Sequence, residues 1–241
     1  MVNIIWEIAR KELLAYFTGK SAMLRNLIML GIFSIVPIMQ INNALMAGGY
    51  SSAALSQSLE VYLLFSSFYA LVMASTIAVM AFPYEKEQKT IEYLFTLPLK
   101  DYEILAGKML AAVIAGIGGL AFVMAVILGC VLALNGHLIQ WTTPFPTLSL
   151  VLTVLVIAPM IVVLSVLIIV AISGFISNAR MTYMPVYVIA GIVMGLTFAR
   201  AELGEYVMLA NAVIIVLLAA AIAVTFAVSV KTFNRERIAG N

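Results

Sequence analysis

The sequence predicts an all-α protein that crosses a membrane six times. Of its 241 residues, 64% are hydrophobic and only 10% are charged, whereas a soluble domain carries about 25% charged residues. The apolar residues also form long unbroken runs, and a bilayer core about 30 Å thick needs roughly 20 such residues per helix. Because a backbone in lipid must satisfy its own hydrogen bonds, each run is expected to be a helix. The chain 1–241 is therefore interpreted as a single membrane domain.

Six runs without Asp, Glu, Lys or Arg mark the expected spans. They are Leu27–Ala47, Val61–Phe82, Met109–Leu134, Thr147–Ser173, Met181–Ala199 and Val207–Val230. Pro159 lies inside the fourth run and is expected to kink that helix or to interrupt its hydrogen-bond register. The fifth run barely reaches spanning length and has Pro185 near its start. The outer loops are expected at Gly48–Glu60, Asn135–Pro146 and Arg200–Tyr206.

The positions of Lys and Arg predict which side of the membrane each segment occupies. With the N-terminus in the cytoplasm, six spans place all but one of the 13 basic residues inside, and only Arg200 outside. An odd number of spans would put the two basic termini on opposite sides. We therefore expect a multi-pass protein of the cell (plasma or inner) membrane with both termini in the cytoplasm.

The N-terminal stretch 1–26 is expected to be cytoplasmic or interfacial. Its sequence "NIIWEIARKELLAYF" is too short and too charged to span, and Glu7, Arg10 and Lys11 share one side of a helical wheel. Mixed charge of this kind is not typical of a cleavable signal peptide. Trp6 suits the headgroup level. The pattern predicts an amphipathic helix lying in the cytoplasmic interface, and a solvated leader with some helix is the alternative.

One short segment between the second and third spans holds much of the charge. Glu85–Lys108 contains nine of the 24 charged residues. An i,i+4 Glu–Lys pair at its start favours a helical extension of the second span. That helix should end near Leu97, because Pro98 disfavours helix in the residue before it. Asp101 is then expected to cap the helix that becomes the third span.

Apolar residues are placed among these charges. Ile91, Leu94 and Phe95 share one face of the predicted loop helix, outside the membrane. An apolar face rimmed by charge is typical of a protein–protein contact. A simpler alternative is that the loop only supplies basic residues for membrane orientation. That alternative accounts for its four lysines, but not for the three apolar residues or for its five acids.

The loop resembles the cytoplasmic loop of ABC-2 type transporter permeases. The resemblance is carried by "EQKTIEYLFTLP", from Glu87 to Pro98, and by "EILAGK" at the entry to the third span. The matching residues are Glu87, Thr90, Glu92, Leu94, Pro98, Gly107 and Lys108. Lys89 departs from the family pattern, which usually has Gly before the Thr. The amphipathic start, the six spans and the inside termini agree with the family over nearly the whole chain.

The resemblance implies a transporter permease subunit rather than an enzyme. Two such subunits, identical or paralogous, form the substrate pathway in the bilayer, and each docks a separate ABC ATPase subunit that hydrolyses ATP. The implied docking residues on the coupling helix between spans two and three are Glu87, Thr90, Ile91, Glu92, Leu94, Phe95 and Pro98. Arg180, in the second inner loop, would make a lesser contact. No catalytic residue, cofactor, metal or nucleic-acid partner is expected for this chain.

A pair of glycines in the fifth span suggests close helix packing. "GIVMG" places Gly191 and Gly195 in a GxxxG pattern, which lets two helices approach closely. The partner helix could belong to the same subunit or to another one. The family resemblance puts spans one and five at the dimer interface, which favours the second alternative.

Other functional classes lack their usual signatures. The "GKS" at Gly19–Ser21 has Leu14 where a phosphate-binding loop needs glycine, so ATP is expected on a partner chain. The predicted spans contain no acidic residue, Lys or Arg, which argues against an ion-coupled carrier. His137 is the only histidine, so a His-based metal site or catalytic pair is not expected. The uncharged spans suggest a hydrophobic or amphipathic cargo. A six-span scaffold or channel without an ATPase remains the alternative.

Overall fold

The apolar runs of the sequence form long helices joined by short turns. The structure, a computed structural model, describes residues 2–88, 100–173, 181, 184–202 and 206–232. The helices are α1 (Val2–Thr18), α2 (Lys20–Ala47), α3 (Ser52–Val79), α4 (Asp101–Asn135), α5 (Leu148–Ser173), α6 (Met184–Glu202) and α7 (Val207–Thr232). A π-helical turn, Met80–Tyr84, continues α3 into a last turn, Glu85–Glu87. Within the described residues there is no β-strand, only an isolated bridge between Ser51 and Gln140.

Five of the described helices are long and apolar enough to cross a membrane. They are Leu24–Ala47, Ser52–Tyr84, Tyr102–Asn135, Leu148–Ser173 and Val207–Ser229. These helices contain the first three predicted runs and nearly all of the fourth and the sixth. The fifth run falls on α6, a 19-residue helix that is not among the five. By the length and composition of its helices, the chain is a multi-pass membrane protein.

Helix α3 lies at the centre of the bundle. It packs against α2, α4, α5 and α6, and 78% of its most apolar stretch is buried, compared with 17% for α2 and 11% for α7. The two outer helices therefore present apolar side chains outward, such as Ile35 on α2 and Val216 on α7. Such a surface suits contact with lipid and not with water.

The predicted extent of the outer loop, Gly48–Glu60, is wrong, because α3 already begins at Ser52. The hydroxyl of Ser51 accepts a hydrogen bond from a backbone N–H three residues on, at 3.2 Å, and so caps the helix. Ser56 and Ser58 donate their hydroxyls to carbonyls one turn back, at 2.9 and 2.7 Å. Serines bonded in this way leave no polar group unsatisfied inside a helix. Because this first part of α3 is polar, a count of apolar residues along the sequence does not reveal it.

The register change predicted at Pro159 is seen as a π-helical turn. The turn Thr153–Ile157 lies inside α5 and ends two residues before Pro159. Proline lacks the N–H that would bond to the carbonyl four residues back, and its ring crowds that carbonyl. A π-helical turn changes the bonding register at that point. Pro83 lies within the second π-helical turn, Met80–Tyr84.

The start of α4 is as predicted, but its capping group is different. Asp101 is the first helical residue, and the N-cap is Lys100. The carboxylate of Glu103 accepts a hydrogen bond from the Lys100 backbone N–H at 3.0 Å. An acidic side chain at this third position satisfies the otherwise unpaired N–H of the cap. The acid seen to stabilise this helix start is therefore Glu103.

Contacts between helix termini show which termini lie together. Lys108, near the start of α4, contacts Glu85 after the end of α3. Ser52, at the start of α3, bonds to Thr143 after the end of α4. We call these two regions the basic end (around Glu85 and Lys108) and the far end (around Ser52 and Thr143) of the bundle.

Candidate functional site

The predicted docking surface falls mostly outside the described residues. Residues 89–99 and 174–180 are not among them. Predictions on these segments therefore stay predictions; they concern Thr90, Ile91, Glu92, Leu94, Phe95, Pro98 and Arg180. Glu87 is described, and its side chain is exposed in the last turn after α3. The structure also describes the base of the loop, where the chain leaves α3 and enters α4.

A buried lysine joins three helices at this base. The side chain of Lys108 is only 1% exposed. Its ammonium group donates to the Ala81 carbonyl at 2.7 Å and to the Glu85 carboxylate at 2.6 Å. It also forms an ion pair with the Glu12 carboxylate of α1 at 3.4 Å, and lies 5.8 Å from the centroid of the Phe82 ring. Lys108 of α4 is thus tied to both α1 and the end of α3.

The ammonium group has three oxygen neighbours, of which two accept hydrogen bonds and the third forms an ion pair. A lysine has three donors and no acceptor, and here Ala81, Glu85 and Glu12 supply three oxygens. A buried charge is tolerated only when it is paired and hydrogen-bonded. Removing one partner of such a group costs about 3–5 kcal/mol, because the remaining charge is left buried and uncompensated. A movement of α1, of α4 or of the end of α3 relative to the other two would therefore break a contact of Lys108 and cost free energy.

The π-helical turn that contains Pro83 positions the Ala81 carbonyl to accept a hydrogen bond from Lys108. The backbone N–H of Glu85 donates to the Phe82 carbonyl three residues back rather than to the Ala81 carbonyl four residues back. The Ala81 carbonyl then accepts from Lys108 Nζ. The turn thus presents a main-chain acceptor and the Glu85 carboxylate to the same ammonium group.

Gly107, the residue before Lys108, allows α1 to lie directly against α4. A Cβ atom at this position would lie 2.7 Å from Ile8 Cβ, 2.8 Å from Ile8 Cγ2 and 3.0 Å from the Ile5 carbonyl oxygen. These distances are shorter than van der Waals contact, and two of them involve atoms fixed close to the α1 backbone. The close approach brings Glu12, one turn along α1, to Lys108. In the Gly–Lys pair of "EILAGK", Gly107 therefore allows the close packing of α1, and Lys108 forms the ion pairs.

A cavity of about 340 Å³ lies beside this junction. Its polar lining comes from Glu12 and Tyr16 of α1 and from Tyr84, Glu85 and Gln88 after α3. Two of these residues, Glu12 and Glu85, are the carboxylates that also hold Lys108. In the part of the chain that the structure describes, no three His, Cys, Asp or Glu side chains are grouped as metal ligands.

The predicted packing glycines lie on the outside of the described bundle. Gly191 and Gly195 are both exposed on α6, and among the described residues no atom lies within 4 Å of a Cβ built on either. No described residue of this chain therefore packs closely against the GxxxG face. The two glycines therefore do not pack against a described helix of the same subunit. The alternative of packing against another subunit stays a prediction.

Sequence analysis missed a polar connection at the far end. The hydroxyls of Ser52 and Thr143 are 2.8 Å apart, and the Thr143 backbone N–H donates to the Ser52 hydroxyl at 2.9 Å. The Thr147 hydroxyl donates to the Glu60 carboxylate at 2.8 Å. The loop after α4 is thereby bonded to the first turns of α3. Ser52 and Glu60 had been assigned to one outer loop, Thr143 to another and Thr147 to the fourth span, so no pattern in one stretch pointed to another.

In the sequence, Lys108 was noted as one of the inside lysines that set the orientation and as a residue that matches the family pattern, but not as a buried ion-pair partner. Two features of the sequence could have marked Lys108 as a buried ion-pair partner. It lies directly before a long apolar run, and acids occur both in the predicted N-terminal helix and in the predicted extension of the second span. Comparison with protein-family models and with curated proteins found no match to this chain.

Proposed function

We propose that the chain is the membrane subunit of an ATP-driven exporter of the ABC-2 type. Two copies, or this chain and a paralogue, would form the substrate pathway. Separate ATPase subunits would bind the cytoplasmic loop at Glu87–Pro98, with a further contact at Arg180. The protein would lie in the cell membrane with both termini in the cytoplasm.

The observation that carries the proposal is the buried junction around Lys108. The loop segment resembles a docking element, and a docking element can transmit movement only if its base is stiff. Lys108 joins α4 to α1 and to the end of α3 through the carboxylates of Glu12 and Glu85. A displacement of the loop between Glu85 and Lys108 would therefore reach three helices together. Two residues that match the family pattern, Gly107 and Lys108, both have defined roles in this junction.

The mechanism that follows is a rigid-body one. ATP binding would close two ATPase subunits on each other, and each would carry its docked loop with it. The junction would pass this movement to the helix bundle, which would change between inward-accessible and outward-accessible arrangements. No residue of this chain needs to bind nucleotide in that scheme. The uncharged spans favour a hydrophobic or amphipathic cargo.

Six spans are supported by the relative direction of α5 and α7. Near their starts, Asn211 of α7 bonds to Ser149 of α5 at 2.9 Å. Near their ends, Ser229 of α7 bonds to the Leu167 carbonyl of α5 at 3.1 Å. The two helices run parallel, so the chain between them must return from the basic end to the far end. The helix α6 lies in that connection, and its 19 residues extend about 28 Å, close to the roughly 30 Å of a bilayer core.

The free face of α6 supports assembly with a second copy. Gly191 and Gly195 have open space around them in the described bundle. A GxxxG face allows close contact between two membrane helices. We therefore assign these two glycines to the contact between subunits.

The test is co-purification of an ATPase subunit from the native host. The tagged chain should bring down a nucleotide-binding protein, identified by mass spectrometry and by ATP hydrolysis in the eluate. Leu94→Asp and Glu92→Arg should lose that partner while the variants still insert into the membrane. Leu138→Asp is the matched control, because Leu138 is an exposed leucine at the far end of the bundle. It should keep the partner.

Two results would overturn the proposal. One is a wild-type preparation with no nucleotide-binding subunit and no ATP hydrolysis, which is the result that an ATPase-independent scaffold or channel predicts. The other is unchanged co-purification in both loop variants, which would remove the docking role from this segment.

A further inference from the structure

A wide apolar groove opens on the side of the bundle between α1, α2 and α4. Its volume is about 540 Å³, within the range of about 300–1,000 Å³ that is usual for ligand sites. The residues that define this lateral groove are Phe17 of α1, Leu27 of α2, Gly118 and Phe122 of α4, and the buried pair Tyr69 and Met73 of α3. Most of the lining is apolar, and α3 forms its floor.

The lateral groove faces the bilayer. Phe17, Leu27 and Phe122 are 45%, 57% and 56% exposed, and both α2 and α4 are membrane-spanning by length and composition. Apolar cavities of this kind are not filled by water. The medium next to the groove is the hydrocarbon of the lipid, so the occupant that is always available is an acyl chain.

Polar groups lie at one end of the groove. Asn26 lines it, and the Asn26 side-chain oxygen accepts a hydrogen bond from the Tyr16 hydroxyl at 2.8 Å. The adjoining recess is lined by Asn26, Tyr69 and Met73 as well, and also by Arg25. The Arg25 guanidinium lies 5.9 Å from the Tyr16 ring centroid, and the side chain is exposed.

The position of these groups matches the headgroup level. The apolar part of α2 begins at Leu24, so Arg25 and Asn26 lie in its first turn. Arginine is well suited to bind a phosphate group, because its planar guanidinium presents several donors in one direction. Basic pockets between membrane helices are known to hold the headgroups of anionic lipids. An apolar groove with an exposed arginine in the recess beside it therefore fits a molecule with a hydrocarbon chain and a negatively charged head.

We propose that the lateral groove binds an anionic phospholipid of the surrounding membrane, with one acyl chain against Gly118 and Phe122 and the phosphate beside Arg25. Gly118 leaves the room for the chain, because no atom of the described residues lies within 4 Å of a Cβ built at this position. The inference goes beyond the exporter function. It requires only that the chain lies in a membrane.

The experiment uses the full chain in nanodiscs with a phosphatidylglycerol probe that carries a diazirine on its acyl chain. After illumination, mass spectrometry maps the labelled peptides. Labelling should concentrate on the peptides that contain Leu27 and Phe122, above the level on the lipid-facing residues Val216 and Leu217 of α7, which are 67% and 64% exposed. A phosphatidylcholine probe with the same acyl chain should label the groove less.

Variants separate the chain site from the headgroup site. Gly118→Leu should fill the groove and reduce its labelling to the α7 level, and Leu27→Trp should do the same from the opposite wall. Gly129→Leu is the matched control. Gly129 lies on the same helix, is exposed and also has open space around its Cβ position, but it does not line the groove. Arg25→Gln should remove the preference for phosphatidylglycerol and leave labelling by phosphatidylcholine.

Several outcomes would overturn the proposal. They are equal labelling of the groove and α7, groove labelling unchanged in Gly118→Leu or Leu27→Trp, and equal labelling by the two probes in the wild type. Cross-links from Phe122 to a second copy of the chain would also overturn it, since the groove would then be covered by protein. If neither groove variant folds, the proposal is still tested by the labelling map of the wild type and by the probe preference of Arg25→Gln. No ATPase subunit takes part, so a failure here is distinct from a failure of docking.

Discussion

Lys108 and Glu85 are 23 residues apart in the sequence, and their side chains meet at 2.6 Å. The pair joins the two ends of the charged loop, since Glu85 lies at the end of α3 and Lys108 lies in α4. The ion pair of Lys108 with Glu12, at 3.4 Å, adds α1. The loop thus begins and ends on a single buried junction.

Replacing Lys108 by methionine should destabilise the protein strongly. Methionine keeps much of the side-chain length but leaves Glu85 and Glu12, which are only 18% and 14% exposed, without their shared cation. The expected loss is about 3–5 kcal/mol, measured as a lower melting temperature in detergent by size-exclusion chromatography of heated samples. Lys11→Met is the control, because Lys11 is exposed. Equal melting temperatures for wild type and Lys108→Met would contradict the buried junction.

The two carboxylates of the junction should contribute unequally. Glu85 makes a hydrogen bond of 2.6 Å to Lys108, whereas Glu12 lies at 3.4 Å. We therefore expect Glu85→Gln to lower the melting temperature more than Glu12→Gln does. Each of these effects should shrink in a Lys108→Met background, because residues in one ionic network are not additive. Additive losses, or a larger effect at Glu12, would show that the network is not arranged as described.

Gly107→Ala should push α1 away from α4. The added methyl group would meet Ile8 Cβ at 2.7 Å and the Ile5 carbonyl oxygen at 3.0 Å. We expect a loss of about 1–3 kcal/mol, which is typical of overpacking. Gly129→Ala is the matched control on the same helix. In the part of the chain that the structure describes, no atom lies within 4 Å of its Cβ position, and alanine favours helix over glycine by about 1 kcal/mol. The two variants should therefore shift the melting temperature in opposite directions, and a shift of the same sign in both would contradict the close contact.

Six spans can be distinguished from five by cysteine labelling in whole cells. In a Cys130→Ser background, single cysteines at His137 and Tyr206, both exposed, should react with an impermeant maleimide from outside. Cysteines at Gln88 and Asn241 should react only after the cells are opened. A five-span chain would place Asn241 outside, since α6 would not cross. External labelling of the C-terminal cysteine together with protection of Tyr206→Cys would therefore exclude six spans.

The long helices were predictable because membrane insertion depends on local composition. The runs that begin at Thr147 and Val207 predicted α5 and α7 closely, since the transfer of apolar residues into lipid is largely additive along one segment. The same rule failed between Gly48 and Glu60. There the helix is built with Ser51 as its cap and with serines bonded to their own backbone. A count of apolar residues cannot distinguish such serines from those of a loop.

The site was predicted only in part, and the reason is sequence separation. "EILAGK" was singled out by resemblance, yet nothing within it shows that Gly107 faces Ile8 or that Lys108 faces Glu12. Those contacts join residues about 100 positions apart. The π-helical turn at Pro83, which sets the geometry of the Ala81 and Glu85 acceptors, follows from the packing of α3 as well as from the proline itself.

The sequence by itself determined that this protein belongs in lipid, where most of its helices lie, and that one charged loop separates two of them. These properties depend on neighbouring residues, and their free energies add along the chain. Only the tertiary structure decided that Lys108 is buried between two acids, that Gly107 admits α1, and that a groove stays open between α1, α2 and α4. Each of these depends on which helix surfaces meet, and the apolar faces of the helices are too alike to specify that from composition alone.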